Sequence, residues 1–310
     1  MLVRPRWLLV ALSVGALTLS AGASSAAPPR PRVHPPVCVV WSGHLRCTPW
    51  HPVDTWASVT SVLVNSWRPW SSQPTIVATA AWFHARSTLL ALYPGYKVPG
   101  PSALDRGPEM VPPTARRSLL VTFNGGFYEV DAAGGFFAHQ TLYAPMRRGL
   151  ATVVRYRSGR VDVLTWTGGP RPPATVVLAR QNLPLLVAAG RPTPASADNA
   201  AWGLTLYGAP AVWRSALGVD ASGNLVYAAA PGLTSSMLAT LMVQLHCIRA
   251  MELDINPEWP VLITYGGPGA ASPTMQTPNP NQIPTRYLAV STKDFFALYA
   301  SRTPGAPQPW

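Results

Sequence analysis

Acidic and amide side chains are concentrated in one short window of a chain that is otherwise poor in charge. Three of its twelve Asp and Glu residues fall within residues 252–258, which read Glu-Leu-Asp-Ile-Asn-Pro-Glu. Alternate side chains of a strand point to opposite faces, so Glu252, Asp254 and Asn256 share one face and the apolar residues between them share the other. Because burying an unpaired carboxylate is costly, the window predicts a polar cleft that serves as an active or binding site.

A glycine turn is the second candidate feature. The sequence Asn124-Gly125-Gly126-Phe127 follows a continuous apolar run that is typical of a strand buried on both faces. Two glycines permit positive φ and a close backbone approach to a ligand, and such turns can aim N–H groups at an anion. A tight turn with nothing bound is the alternative. His139, a little further along, is a candidate proton shuttle, or else an ordinary hydrogen-bonded histidine.

A single arginine interrupts the apolar stretch that precedes the main predicted helix. Arg214 is followed by Ser215, and a buried arginine requires a partner, for which Glu252, Asp254 or a bound phosphate are the candidates. A structural salt bridge and a phosphate contact both satisfy this requirement. Thr234 opens the main helix, whose N-terminus could face an anion; helix capping explains this threonine equally well.

Hydrophobic periodicity predicts a strand-rich α+β domain in which a few helices pack on a mixed sheet. Helices are expected at 55–67, with Asp54 as N-cap, and at 235–249, where Cys247 would be a buried free thiol. The segment 266–284 is expected to be a loop. Strands are predicted at 75–83, 87–93, 118–123, 150–156, 160–166, 175–180, 201–206, 211–219, 224–229 and 250–256.

The amino terminus has the pattern of an export signal. A basic start, an apolar run over 7–19 and small residues up to 27 predict a signal peptide at 1–27, whose apolar core is too short to span a bilayer. We expect a linker and extension at 28–73, one domain at 74–302 and a proline-rich tail at 303–310. In an exported protein Cys38 and Cys47, which flank a predicted hairpin, should form a disulfide. No stable membrane insertion is expected after signal cleavage.

The net charge of +12 has two interpretations, a compositional bias and a preference for anionic partners. Lys97 and Lys293 are the chain's two lysines, and the remaining 22 basic residues are arginines. A compositional bias of the genome explains this balance, but it also suits phosphodiesters or acidic envelope polymers. The arginines are scattered and form no basic helix or basic-aromatic stripe, so we expect no nucleic-acid partner.

The order of these motifs resembles the phosphodiester glycosidase family. Asn-Gly-Gly-Phe after a strand, Arg-Ser-Ala-Leu-Gly-Val with an Asp-X-X-Gly turn, Gly-Leu-Thr at a helix start and a strand ending in Leu-Asp occur in that order over residues 74–302. The chain looks most similar to secreted actinobacterial members. One departure is clear: the family's Leu-Asp-Gly-Gly-Gly-Ser reads Leu-Asp-Ile-Asn-Pro-Glu here, and Pro257 has no N–H to donate.

The resemblance implies an exported hydrolase that cleaves a sugar-1-phosphodiester of the cell envelope. Asp254 would be the general base or nucleophile, Glu252 its acid partner and Arg214 the phosphate clamp, with Asn124 and the glycine amides holding substrate oxygens. Glycoside cleavage needs two carboxyl groups, about 5–5.5 Å apart for retention or about 6.5–9.5 Å for inversion. No cofactor is expected.

Two alternatives to hydrolysis follow from the same residues. The altered glycine loop and the basic charge suit a catalytically inactive protein that binds an anionic glycan during polysaccharide assembly in the envelope. The oxygens of Glu252, Asp254 and Asn256 would suit calcium or magnesium, but three groups are too few for a full coordination shell. We therefore predict no metal.

Overall fold

The computed structural model describes residues 34–53, 60–100, 106–132, 134–203 and 208–301. The predicted signal peptide, the helix start at 55–59 with its Asp54 cap, and the proline-rich tail lie outside the described residues. None of the helices within the described ranges has the length and apolar character needed to cross a membrane.

Strands dominate the described residues, and two α-helices connect them: α1 (Glu129–Ala132) and α2 (Ser235–Gln244). The strands are β1 (Val37–Trp41), β2 (His44–Thr48), β3 (His51–Pro52), β4 (Val62–Trp67), β5 (Ala78–Phe83), β6 (Thr88–Tyr93), β7 (Leu119–Asn124), β8 (Phe136–Ala138), β9 (Thr141–Ala144), β10 (Ala151–Tyr156), β11 (Val161–Thr165), β12 (Val176–Gln181), β13 (Leu185–Ala188), β14 (Arg191–Pro192), β15 (Val212–Asp220), β16 (Leu225–Leu233), β17 (Cys247–Glu252), β18 (Leu262–Gly266), β19 (Ser272–Met275) and β20 (Phe295–Ala300).

These strands form three large sheets and one hairpin. The strand orders are β11-β10-β12-β8-β9, β14-β13-β17-β15-β16-β5-β4-β3 and β19-β18-β7-β20-β6, with β1-β2 apart. The strand-rich prediction is confirmed, and most of the fold is β structure. The expectation of a mixed sheet is wrong for the described strands, since their ladders are antiparallel. Short turns join many neighbouring strands, and a tight turn can connect only antiparallel strands.

The predicted helix at 55–67 is a strand in its described half. Strand β4 pairs with β3 on one side and β5 on the other, and five of its six residues are buried. Valine and tryptophan have high β propensity, and burial on both faces of a sheet removes the apolar stripe that a surface helix needs. The tertiary pairing therefore outweighs the helical spacing.

The main helix is shorter than predicted. Helix α2 ends at Gln244, and His246 with φ of 59° turns the chain into β17. Cys247 consequently begins a strand and does not lie on the helix, although it is a buried free thiol as expected. The predicted strand at 201–206 is not observed at its start, because residues 201 and 202 belong to a 3-10 turn over Asn199–Trp202. Residues 204–207 lie outside the described residues. The expected loop at 266–284 contains β19.

The hydrophobic core lies between the sheets. Met251 and Leu253 belong to the same core cluster as Phe123 and Phe296, as the alternation in the acidic window predicts. A second cluster packs α2 against the inner residues of β15, β16 and β17. The predicted disulfide is present, since Cys38 and Cys47 are bonded across the β1-β2 hairpin.

Candidate functional site

Three strand ends bring the predicted site residues close together. Strand β7 ends at Asn124, which lies opposite Phe295 of β20, so the residues just before β20 meet the glycine turn. Strand β17 ends at Glu252, opposite Ala216 of β15. The backbone N–H of Asp254 then donates to the carbonyl of Gly125 at 3.1 Å. The acidic window and the glycine turn are therefore hydrogen-bonded neighbours, although they lie far apart in the sequence.

Asp254 is paired with a lysine. Its Oδ2 atom accepts from Lys293 Nζ, and its Oδ1 atom accepts from the backbone N–H of Asn256 at 2.9 Å. Both side chains are buried, with 4% of each exposed. Burial raises the pKa of Asp254, while Lys293 and the Asn256 amide oppose that rise. A desolvated carboxylate with a raised pKa is a stronger base than one in water.

Two aromatic rings cover the lysine. Lys293 Nζ lies 4.1 Å from the centroid of the Tyr128 ring and 5.2 Å from that of the Trp259 ring, which are cation–π distances. The two rings meet edge to face at 6.5 Å. Both rings are partly exposed, whereas the ion pair is buried. The rings therefore lie between the ion pair and solvent.

The space at this point is a narrow crevice. It is too small to admit a water-sized sphere, and a substrate therefore requires the crevice to open. The residues that line it are Asn124, Gly125, Asp254, Trp259, Tyr287, Lys293 and Asp294.

Arg214 does not border this crevice and is hydrogen-bonded within the protein. Its Nη1 atom is 2.5 Å from Glu252 Oε1, and both side chains are fully buried. The guanidinium also donates to the carbonyls of Leu233 and Trp202 and to Asn199 Oδ1. The structural salt bridge with Glu252 is thus present, and Arg214 does not line the crevice.

Glu252 is a second buried carboxyl group of the window with a raised pKa. Burial raises its pKa to about 8, although the Arg214 guanidinium opposes the rise. The nearby Asp254 carboxylate adds to the increase. Its second oxygen, Oε2, is buried and receives no hydrogen bond from the described residues. Glu252 is therefore suited to hold a proton near neutral pH.

Asn124 and Ser215 connect the two halves of the site. Asn124 Nδ2 donates to Ser215 Oγ at 2.9 Å, and Ser215 Oγ donates to the carbonyl of Asp254 at 2.8 Å. Asn124 Oδ1 accepts from Tyr227 Oη and from the backbone N–H of Val261. All of these groups are buried. Their role in this structure is to hold the Asp254 backbone in place.

The glycine turn makes a close approach to protein groups. A Cβ atom on Gly125 would collide with the carboxylate of Asp294, and one on Gly126 would lie 3.1 Å from the guanidinium of Arg180. The two N–H groups donate to Asp294, which Arg180 also binds at 2.9 Å. Neither glycine has a positive φ. Crowding, and not left-handed backbone, is the reason for glycine here. The Phe127 N–H donates to Asn182 Oδ1.

The remaining predicted residues lie at the edge of this network or outside it. Asn256 accepts from the N–H of Glu258 and shapes the loop after Asp254. Thr234 is the N-cap of α2 and accepts from the N–H of Met237 at 3.2 Å, as the capping alternative predicts. His139 lies in the turn between β8 and β9 and borders a different cavity. The structure therefore separates His139 and Thr234 from the crevice.

Three residues of the site were missed by the sequence reasoning: Arg180, Lys293 and Asp294. Signals for two of them were present. Lys293 is one of only two lysines, and Lys293-Asp294 immediately precedes an apolar run. Arg180 stands inside an apolar strand in the same way as Arg214 does, and it is fully buried.

The carboxylates are occupied by cations of the protein itself. Among the described residues, no three His, Cys, Asp or Glu side chains are placed to hold a metal ion. Arg214 and Lys293 occupy the positions beside Glu252 and Asp254 that a metal would need. The positive charge of each would oppose a second cation.

Comparison with known proteins supports the resemblance found in the motifs. The family model of phosphodiester glycosidases matches residues 117–254, which confirms the resemblance to that family. The catalytic domain of zebrafish N-acetylglucosamine-1-phosphodiester α-N-acetylglucosaminidase, auto-inhibited by its pro-peptide, aligns with a TM-score of 0.50 and 14% identity. That alignment covers 82% of this chain and 88% of the zebrafish chain, and at such identity it shows a shared fold.

A hypothetical protein from Synechocystis aligns with a TM-score of 0.49 and 13% identity, over 83% of this chain and 65% of its own. None of the curated proteins matches this chain.

Proposed function

Since residues 117–254 match the phosphodiester glycosidase family, we propose that the chain is a hydrolase of a sugar-1-phosphodiester and that Asp254 is its central catalytic residue. The observation that carries this proposal is the buried pair of Asp254 and Lys293 beside the Asn124 turn. A desolvated carboxylate and a cation that can contact phosphate meet there. These are the two charges that hydrolysis of an anionic glycosyl bond requires.

Lys293 is the proposed phosphate contact, in place of Arg214. Lysine binds phosphate as a point charge, and Lys293 lies in the crevice whereas Arg214 does not. When substrate opens the crevice, its phosphate would bind Lys293 in place of Asp254. The Asp254 carboxylate would then be free to act as a base. The partly exposed rings of Tyr128 and Trp259 would then flank the substrate.

The proposed chemical step uses Asp254 as general base. The oxygen of a water molecule bonds to the anomeric carbon, and the water's proton passes to Asp254. The bond between the anomeric carbon and the phosphate oxygen breaks, and the phosphate leaves as a monoester with the bonding electrons. Direct attack by Asp254, followed by hydrolysis of the glycosyl ester, is the two-step form of the same reaction. A phosphate leaves readily, so little help from an acid is needed.

The two other buried ion pairs are proposed to position these groups. Glu252, which pairs with Arg214, ends β17 two residues before Asp254, and Arg180 holds Asp294 against the glycine turn. A proton on Glu252 would limit the negative charge next to Asp254, because like charges disfavour a second ionised carboxylate. Asn124 and Ser215 fix the Asp254 backbone.

We further propose that the protein is exported and acts in the cell envelope on an anionic glycan. The basic, apolar and small-residue order at 1–27, the net charge of +12 and the Cys38–Cys47 disulfide support this location. The proposed catalytic domain is 74–302, and 28–73 is its amino-terminal extension.

Replacement of Asp254 by asparagine tests the proposal. The purified protein is incubated with a panel of glycosyl 1-phosphodiesters, and released sugar is measured by its new reducing end. We expect Asp254→Asn to reduce kcat at least ~100-fold, the scale of general-base catalysis. Asp131→Asn, an exposed aspartate of α1, is the matched control. Equal turnover by the two variants would remove Asp254 from the mechanism.

Replacement of Lys293 by methionine tests the phosphate contact. We expect Lys293→Met to raise KM for phosphodiester substrates, with circular dichroism confirming that the variant is folded. The matched control is Lys97→Met, which removes the other lysine, an exposed one. An unchanged KM in a folded Lys293→Met protein would refute the assigned role.

A glycan-binding protein without catalysis is the second candidate. Both oxygens of Asp254 are occupied, the crevice is closed, and the loop after Asp254 lacks the family's glycines. Calorimetry with the same phosphodiester panel separates the two functions. Binding without release of sugar by the unmodified protein favours the binding protein, and release of sugar favours the hydrolase.

A further inference from the structure

A cavity of about 410 Å³ lies apart from the crevice described above. It is bordered by the end of β10, the His139–Gln140 turn, the residue Leu92 of β6 and the loop 171–174. It shares no lining residue with the crevice that contains Asp254. Its volume falls in the range of small-molecule sites, about 300–1,000 Å³.

Arg155 lines this cavity, and two nitrogens of its buried guanidinium have no acceptor within the described part of the chain. Only 2% of the residue is exposed, and its Nε and Nη1 atoms donate to no acceptor among the described residues. The three other buried arginines of the described chain, Arg106, Arg180 and Arg214, each donate to carbonyl or carboxylate oxygens. Arg155 is therefore the exception among the buried guanidinium groups.

Among the described residues, the lining of the cavity around Arg155 includes further cations and no carboxylate. Arg157 and Arg171 also border the cavity, and none of its lining residues is Asp or Glu. Burial lowers the pKa of Arg155 to about 10, so the group remains protonated at neutral pH. Asp162, on the adjacent strand, is bonded to Arg160 and Arg249 instead. A buried cation without a counterion is costly, which indicates that an anion completes this site.

The apolar residues that line the cavity indicate the chemistry of the part of the ligand that carries no charge. Leu92, Phe137, Pro172 and Leu178 are apolar and line it beside the guanidinium. We infer that this cavity binds a small organic phosphate, with the phosphate on Arg155 and an apolar group against these walls. A guanidinium binds phosphate through two parallel hydrogen bonds, and Arg157 and Arg171 add the charge that favours a dianion over a carboxylate.

Calorimetric titration of the full chain with phenyl phosphate tests this inference. Phenol and inorganic phosphate are titrated separately, because each carries one half of the proposed ligand. We expect phenyl phosphate to bind more tightly than either. Arg155→Met removes the buried charge at similar side-chain length, and Arg191→Met, on the exposed strand β14, is the control with the same net charge.

The expected result is at least a tenfold weaker affinity for phenyl phosphate in Arg155→Met and an unchanged affinity in Arg191→Met. Without ligand, Arg155→Met should have a melting temperature at least as high as the unmodified protein, since an unpaired buried cation has been removed. Asp254→Asn should bind phenyl phosphate at this cavity as before, which separates this site from the proposed catalytic one.

Three outcomes would overturn the inference. The first is equal affinity in Arg155→Met and Arg191→Met, and the second is no binding of phenyl phosphate by the unmodified protein. The third is a fall in melting temperature for Arg155→Met, which would show that the guanidinium has a partner within the protein.

Discussion

The protonation of Glu252 leads to a measurable dependence of stability on pH. Burial raises its pKa from an ordinary 4.5 to about 8 in the folded protein. Between these two values the folded chain binds one proton more than the unfolded chain, so the free energy of unfolding falls as pH rises. The contribution is complete below pH 4.5 and is lost as pH rises through about 8. The slope for one proton is about 1.4 kcal/mol per pH unit.

Replacement by glutamine removes this titration while it preserves the shape of the side chain. We expect the difference in unfolding free energy between the unmodified protein and Glu252→Gln to change by about 3.5 kcal/mol between pH 5 and pH 8. Glu252→Gln leaves Arg214 beside a neutral amide, which changes the free energy of unfolding by the same amount at every pH. This constant does not affect the prediction, which concerns only how the difference between the two proteins changes with pH. Glu258→Gln, which removes an exposed carboxylate, is the control.

Urea unfolding at pH 5, 6, 7 and 8, followed by tryptophan fluorescence and by circular dichroism, provides the measurement. The curve of Glu258→Gln should run parallel to that of the unmodified protein, and the curve of Glu252→Gln should diverge from it steadily. Parallel curves for all three proteins would refute the reasoning. They would mean that Glu252 is ionised beside Arg214 throughout this range and holds no proton near Asp254.

Two further predictions concern the framework of the site and the amino-terminal hairpin. Gly125→Ala should destabilise the fold by about 1–3 kcal/mol, because its Cβ would collide with Asp294; Gly169→Ala, where no atom lies within 4 Å of the added Cβ, is the control, and equal urea midpoints would contradict this prediction. Reduction of the Cys38–Cys47 disulfide should lower the unfolding free energy by about 2–3 kcal/mol, measured as a shift of the urea midpoint, and the absence of any shift would show that the hairpin unfolds separately from the sheets.

Local sequence patterns predict secondary structure correctly where an element depends mainly on residues close to it in the sequence. Strands β10 and β11 agree with the strands predicted at 150–156 and 160–166, and they pair across the short connection between them. The periodicity of α2 was likewise correct at its start, where Thr234 caps the helix. Such elements depend on neighbours within a few residues, and the sequence displays those neighbours directly.

The same patterns failed where distant partners decide the conformation. The apolar residues of the predicted helix at 55–67 recur at helical spacing, but residues 62–67 pair with β3 and β5 in an eight-stranded sheet. The end of the main helix became the start of β17 because β13 and β15 pair with it on both sides. Sheet pairing between distant segments overrides a weak local preference.

The sequence by itself determined that acidic residues alternate with apolar ones at 252–256 and that a glycine turn follows an apolar strand, because alternation and composition are visible in a linear chain. Only the tertiary structure decided which cation pairs with which carboxylate. Arg214 reaches Glu252 across 38 residues and Lys293 reaches Asp254 across 39, and strand order, not spacing along the chain, sets those distances. Charge pairing acts over a few ångströms, so it follows the folded geometry and not the order of residues.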